Sequence, residues 1–496
     1  MELALATLFD RAIPVLRKRF QLRDETPMFR ADDERARRRL PGMFALPRFE
    51  KRQRLENIRT QVRVIDRHAP ILGDPRDRRG PQVPARSIEV PNTAAPLHTE
   101  STRSALTRCD LASRRARLYP PRPMSTTIRP QGPAAREELG ALREVPFMGV
   151  IFVVHEAMKL GFVNGHPAWC NLGQGQPEVG EIAGAPPRLA NIALEAQDHA
   201  YGPLGGTNEL REAIAAHYNR LFRKHKKSKY TAANVCVAGG GRLALTRAFA
   251  ALGAVNVGYQ LPDYTAYEDM FELHLARLHP VPIRAREQDG FMVSPERFAH
   301  EIDERGLSAL VLSNPCNPTG NVIQGKELAQ LVALARGRNT TLLLDEFYSH
   351  FIYTERGKPG AGAVSGAEFV EDVERDPVLL IDGLTKSFRY PGWRIGWAVG
   401  PSAMIGSLAR TASSIDGGPS RIAQRAALAV LEPKRADQET TALRECFAAK
   451  RNLMVERLKA MGVCFAAEPR STFYAWGSLA NLPAPLNDAM TFFRSA

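Results

Sequence analysis

Cysteine is scarce and scattered in this sequence. The six residues (Cys109, Cys170, Cys236, Cys316, Cys446 and Cys464) form no Cys-x-x-Cys pair. That argues against a disulfide framework and a zinc site, and it suits a reducing compartment, read here as the cytoplasm. Long hydrophobic runs are also missing. The richest stretch, Val145 to Val163, is broken by His155, Glu156 and Lys159, so it falls short of a membrane span. Tryptophan is absent from the first quarter; all four (Trp169, Trp393, Trp397, Trp476) lie beyond it. That quarter is instead short of acidic charge, with about 27 Lys+Arg against about 15 Asp+Glu in Met1–Pro123. Nearly all of the net +14 therefore belongs to the first quarter, and it says little about the remainder.

What is present begins with Met1 to Phe20, where apolar residues share one face of a potential helix with Arg11, Arg17, Lys18 and Arg19 in its second half. Glu2, Asp10 and the lack of serine count against a transit peptide. Pro70 to Pro123 is rich in proline and arginine without a sustained period, and reads as disordered. A basic flexible arm is able to touch nucleic acid non-specifically. The alternative is an upstream extension, with Met124 as the natural start, because globular patterning begins there.

Beyond it, 44% apolar and 24% charged content fits a globular chain. An amphipathic helix is expected around Phe147 to Leu160, then the glycine-rich NLGQGQPEVG (Asn171–Gly180), and a turn and helix in Tyr201 to Phe222. Strands and helices then alternate. Val235–Ala238 leads to a helix near Leu243–Leu252, and Val257–Leu261 to one near Tyr264–Leu275. Ala309–Ser313 leads to Lys326–Ala335, then to Thr341–Asp345. This predicts a mostly parallel α/β sheet covered by helices on both faces, with ligands at the carboxyl ends of the strands.

The stretch IDGLTKSFRYPGWRIGWAVG (Ile381–Gly400) carries the chemistry. Lys386 follows one β-rich run and Arg394 opens the next, across a connection too short for a crossover helix. The two runs should therefore be antiparallel neighbours. An amine and a guanidinium on one rim suit an aldehyde that bears a phosphate, since the amine can form an imine and the planar fork can hold the dianion. Pyridoxal phosphate is the candidate. Ala238–Ala248 (AGGGRLALTRA) is a strand end, a glycine triplet and a helix start, able to aim the amides of Gly241 and Arg242 at phosphate. In SNPCNPTGNV two Asn-Pro pairs force a turn, and the Asn317 amide can donate to a ligand. LLLDEFYSHF places Asp345 at a strand end with Tyr348 three residues on. A carboxylate there calls for a positive partner such as a protonated ring nitrogen; the alternative is a helix N-cap.

Together these segments, from about Phe147 to the C-terminus, resemble the class I/II aminotransferases, the fold-type I enzymes that use pyridoxal phosphate. The most specific parts are the NPxNPTG turn, the D-E-x-Y strand end and the T-K-S…GWRIGW stretch, in the family's order. The resemblance implies that Lys386 holds the cofactor's aldehyde and later shuttles the α-proton. It pairs Asp345 with the pyridine nitrogen and sets Tyr348 and Asn317 on the phenolic oxygen. Arg394, Thr385 and the amides of Gly241 and Arg242 form the phosphate cup, and Tyr264 stacks on the ring. Tyr201 matches a residue lent across a homodimer interface, and Gly173, Gln174 and Gly175 match the loop near the substrate. The implied division is a basic extension (1–123), an N-terminal arm with part of a small domain (124–195), a cofactor-binding large domain (196–415) and the rest of an α+β small domain (416–496).

Two departures stand out. Gly383 occupies a position, three before the lysine, where the family commonly has a hydroxyl. No residue matches the arginine that clamps the substrate α-carboxylate, so the small domain is expected to be incomplete. The implied reaction moves an amino group from an amino acid to a 2-oxo acid. The alternatives are a β-lyase or cyclopropane-forming synthase of the same fold, a transcription regulator with an aminotransferase-like domain, and an inactive remnant. The regulator would need a winged helix that Pro70–Pro123 does not supply.

Overall fold

The computed structural model describes residues 149–495 apart from Gln174 and Glu355 and the Val150 side chain. The expectations for 1–123 and for a start at Met124 lie outside the described residues, as does Gln174. All described residues fall within one compact unit.

Seven strands form one sheet: β1 (Val235–Ala238), β2 (Val255–Leu261), β3 (Leu278–Arg284), β4 (Leu307–Ser313), β5 (Thr341–Asp345), β6 (Val378–Gly383) and β7 (Gly396–Val399). Their order is β1-β7-β6-β5-β4-β2-β3. β7 runs antiparallel to both neighbours, and every other pairing is parallel. The expected mostly parallel sheet with one antiparallel strand is therefore what forms. β7 is shorter than Arg394–Gly400 because Arg394 has a left-handed backbone, φ 53°, which cannot continue a strand.

Helices cover both faces, as the continuous apolar runs of the strands require. Successive residues point to opposite sides. Val235, Val237, Leu310, Leu312, Leu342, Leu344, Leu380 and Trp397 enter one core. Cys236, Ala238, Ala309, Val311, Leu343, Leu379, Ile381 and Ala398 enter the other. Helix α1 (Gly149–Lys159) precedes the sheet, and α2 (Asn208–Phe222) buries Leu210, Ile214 and Tyr218 in the first core. α3 (Gly241–Ala251) and α4 (Ala266–Glu272) cover the second core.

α5 (Pro295–Arg305) and α6 (Gly325–Arg338) return to the first core. α5 has complete end signals: the Ser294 side chain accepts from the Arg297 amide, Pro295 occupies the first turn, and Gly306 ends the helix at φ 59°. After β7 come α7 (Ser402–Ile415), α8 (Arg421–Val430), the long α9 (Pro433–Ala460) and the short α10 (Ala489–Ser495). Ala427, Val430, Leu431 and Ala436 of this stretch join the first core, and Leu443, Phe447 and Ala448 of α9 join the second.

Register sets the functional edge. Ser313 of β4 pairs with Asp345 of β5, Asp345 with Ile381 of β6, Gly383 with Gly396 of β7, and Gly396 with Ala238 of β1. The carboxyl ends of β1, β4, β5 and β6 and the start of β7 thus share one rim. The Asn-Pro turn, the D-E-F-Y turn, the lysine turn and the glycine triplet all leave from it.

Candidate active site

Lys386 follows β6 in a tight turn, its amine largely withdrawn from water. Burial pushes that amine down to about 8, with Asp345 opposing the shift and Arg394 adding to it. The ammonium donates to the Gly175 carbonyl. It lies 5.7 Å from the ring centroid of Tyr348 and 5.4 Å from that of Phe473. A buried amine of lowered pKa is a competent nucleophile toward a carbonyl and a competent base.

Asp345 ends β5 and is followed by a turn rather than a helix, so it is not an N-cap. Burial raises its carboxyl to about 6, against the pull of the Tyr267 hydroxyl, the Phe347 amide and Lys386. The Tyr267 hydroxyl donates to it over 3.0 Å. Tyr267 was not singled out from the sequence. Asp263 was also missed; it accepts from the Tyr264 amide (2.6 Å), the Ser313 amide (3.1 Å) and the Ser313 hydroxyl. The Ser313 hydroxyl in turn accepts from the Asn317 amide at 3.0 Å. This pair fixes the backbone of both Tyr264 and Asn317. Burial pushes the Asp263 carboxyl up to about 8, so near neutral pH it is largely protonated and adds little charge beside Asp345.

At the other end of the site, Gly240 sits at φ 99° and opens α3. The first-turn amides of that helix, at Gly241 and Arg242, have no intrahelical partner. A Cβ on Gly240 would lie 2.3 Å from Nη2 of Arg394, so the guanidinium lies directly against the helix start. Arg242 donates to the Tyr264 hydroxyl over 2.9 Å, and Thr385 is half-buried beside the lysine. The departure at Gly383 has a steric reason. A Cβ there would meet the Ile395 carbonyl oxygen at 2.5 Å, Gly396 Cα at 2.7 Å and the Phe347 ring at 3.0 Å. No hydroxyl-bearing side chain fits.

Tyr348 is buried and its hydroxyl lies 2.8 Å from that of Tyr474. Tyr474 also touches Asn317 and packs on Gly175, where a Cβ would be 2.1 Å from its hydroxyl. Gly173 lies against Val153 of α1. The structure thus gathers Lys386, Asp345, Tyr348, Asn317, Tyr264, Arg394, Gly241, Arg242, Thr385 and Gly175 around one rim. Tyr201 is fully exposed and does not join them within a single chain.

This donor set fits a flat, phosphate-bearing aldehyde. The buried carboxylate suits a protonated ring nitrogen, the phenol and amide suit a ring oxygen, and the helix start with Arg394 suits a dianion.

A family model described as aminotransferase class I and II matches residues 167–495. The probable aspartate/prephenate aminotransferase of Thermus aquaticus is 32% identical over 280 residues, covering 55% of this chain and 68% of that protein. The aspartate/prephenate aminotransferase of Thermus thermophilus is 32% identical over 291 residues, covering 58% and 70% respectively. Among solved structures, aspartate aminotransferase from Thermus thermophilus with maleate aligns with a TM-score of 0.55 and 26% identity, over 68% of this chain and 86% of that one. With the sheet order, the lysine turn and the matched span in agreement, this chain belongs to the class I and II aminotransferases.

Proposed function

We propose that this chain is a pyridoxal phosphate-dependent transaminase of the cytoplasm, moving an amino group from an amino acid to a 2-oxo acid with Lys386 as its covalent and proton-transfer residue. The observation that carries the reading is the buried Lys386 amine, lowered to about 8, on the same rim as Asp345 and Arg394. When bound, pyridoxal phosphate supplies a ring that takes up the electron pair left as a proton leaves the amino acid's α-carbon.

The chain's own residues do the rest. Lys386 Nζ would hold the cofactor through its aldehyde and, once freed by the incoming amino acid, would take the α-proton and return it on the other side of the transfer. Asp345 would keep the ring nitrogen protonated with a buried charge that water screens little. Tyr348 and Asn317 donate to the ring oxygen, and Tyr264 covers the ring face. Arg394, Thr385 and the Gly241 and Arg242 amides hold the phosphate. Gly173, Gln174 and Gly175 border the substrate.

A homodimer completes the phosphate cup, with Tyr201 lent to the second copy. Supporting this, Tyr201 is wholly exposed, and Ile151, Met158, Leu160, Val163 and Leu172 also face outward in the preceding segment. The partners are an amino acid and a 2-oxo acid, with no role assigned to nucleic acid or membrane. Among the described residues no helix is long and apolar enough to cross a membrane.

The test is spectroscopic. The full chain incubated with pyridoxal phosphate and desalted should keep a near-ultraviolet absorption band that Lys386→Ala abolishes. Amino acids added singly, aspartate first because it names the relatives' activity, should shift the band and release the matching 2-oxo acid. Retention of the band by Lys386→Ala would overturn the reading.

A further inference from the structure

Besides Tyr264, Tyr267 and Tyr348, the site holds a fourth phenol that the motifs do not point to. Tyr474 is 126 positions beyond Tyr348, yet their hydroxyls are 2.8 Å apart. Its ring meets that of Tyr348 edge-on, at 5.6 Å and 68°. Thr472, at φ 60°, accepts the Tyr474 amide on its hydroxyl over 3.1 Å, which fixes the backbone that delivers the phenol. The Tyr474 hydroxyl also lies beside the Asn317 side chain.

Proton accounting then fixes a direction. A phenol has one proton to give and lone pairs to receive. Either hydroxyl can be the donor across the 2.8 Å contact; when Tyr348 gives its one proton to the ring oxygen of the cofactor proposed above, the contact holds only if Tyr474 is the donor, and its oxygen is then open to an Asn317 N–H. The order is Asn317 to Tyr474 to Tyr348 to the ring oxygen, and each donor in such a chain polarises the next.

We propose that Tyr474 is a positioning residue that fixes the Tyr348 hydroxyl as a donor to the phenolic oxygen of pyridoxal phosphate and so sets the protonation state of the bound cofactor. This rests on the cofactor reading above. Asn317 reaches the ring through two phenols as well as by its own amide. Tyr474 also ties this chain to the Gly175 loop, whose carbonyl receives the Lys386 amine.

The experiment is a pH titration of the cofactor's absorption in the full, loaded chain. Tyr474→Phe keeps the ring and removes the hydroxyl. A weaker donor to the ring oxygen disfavours its anion, so the midpoint should rise by about half a unit to one unit, the worth of one neutral hydrogen bond. Replacing Tyr474 by ortho-fluorotyrosine makes it a stronger donor, and the midpoint should fall. In a Tyr348→Phe background neither change should move the midpoint, because the effect passes through Tyr348. A wild-type band whose midpoint is the same in Tyr474→Phe overturns this inference alone, as does a Tyr474 effect that persists without the Tyr348 hydroxyl. Absence of any retained band in the wild type overturns the cofactor reading, and this inference with it.

Discussion

Replacing Asp345 by asparagine separates what the carboxylate does for the cofactor from what it does to the fold. Burial raises this carboxyl from 3.8 to about 6. The native chain therefore holds the proton more tightly than the unfolded chain, and stability falls as pH rises from about 4 through about 6. Above that window the ionised group costs roughly 3 kcal/mol, about two pK units at 1.36 kcal/mol each. Asparagine has nearly the same shape, cannot ionise, and still offers an oxygen to the Tyr267 hydroxyl. The cofactor-free Asp345→Asn chain should thus be more stable than wild type by up to about 3 kcal/mol near pH 8, with the gap shrinking to about half near pH 5. Urea denaturation at several pH values measures the gap directly. Cofactor affinity, followed by absorption, should fall in the same variant. An Asp345→Asn chain less stable than wild type near pH 8, or a gap independent of pH, would refute the reasoning.

Other predictions follow from single contacts. Gly241→Ala puts a Cβ 2.0 Å from the Phe347 ring; it should destabilise by about 1–3 kcal/mol and weaken cofactor binding, and in a Phe347→Ala background, itself about 3–5 kcal/mol less stable, the further loss from Gly241→Ala should largely vanish. Glu439→Gln removes the charge that Arg389 (2.6 Å) and Arg188 (3.2 Å) share; with Arg389 fully buried, thermal or urea unfolding should register a loss of about 3–5 kcal/mol. Tyr201→Phe should leave unfolding free energy within about 0.5 kcal/mol while raising the concentration of pyridoxal phosphate needed to half-load the protein, read by absorption at dimer-forming concentrations.

The strands that carry the site were legible because buried parallel strands are written as short continuous apolar runs; Leu342–Leu344 and Val378–Ile381 could hardly be anything else. β3 was not read, for a physical reason. Leu278–Arg284 contains Pro280 and Pro282, which lack a donor and so belong only at an edge, and β3 is the outermost strand. The amine, the carboxylate and the glycine triplet sit at strand ends, where local sequence announces a turn. Tyr267, Asp263 and Tyr474 act through contacts 78, 50 and 126 positions away, and no local pattern encodes a partner that distant. The steric ban on a side chain at Gly383 likewise became visible only once β7 lay against β6.

The 28-residue helix α9 lends Ala436 to one core and Leu443, Phe447 and Ala448 to the other. Its Glu439 grips Arg389, three positions past Lys386. At 1.5 Å per residue it is a rod of roughly 40 Å, with no hinge loop between the two cores. The same rigid element thus clamps both faces of the sheet and anchors, through Arg389, the turn that carries Lys386.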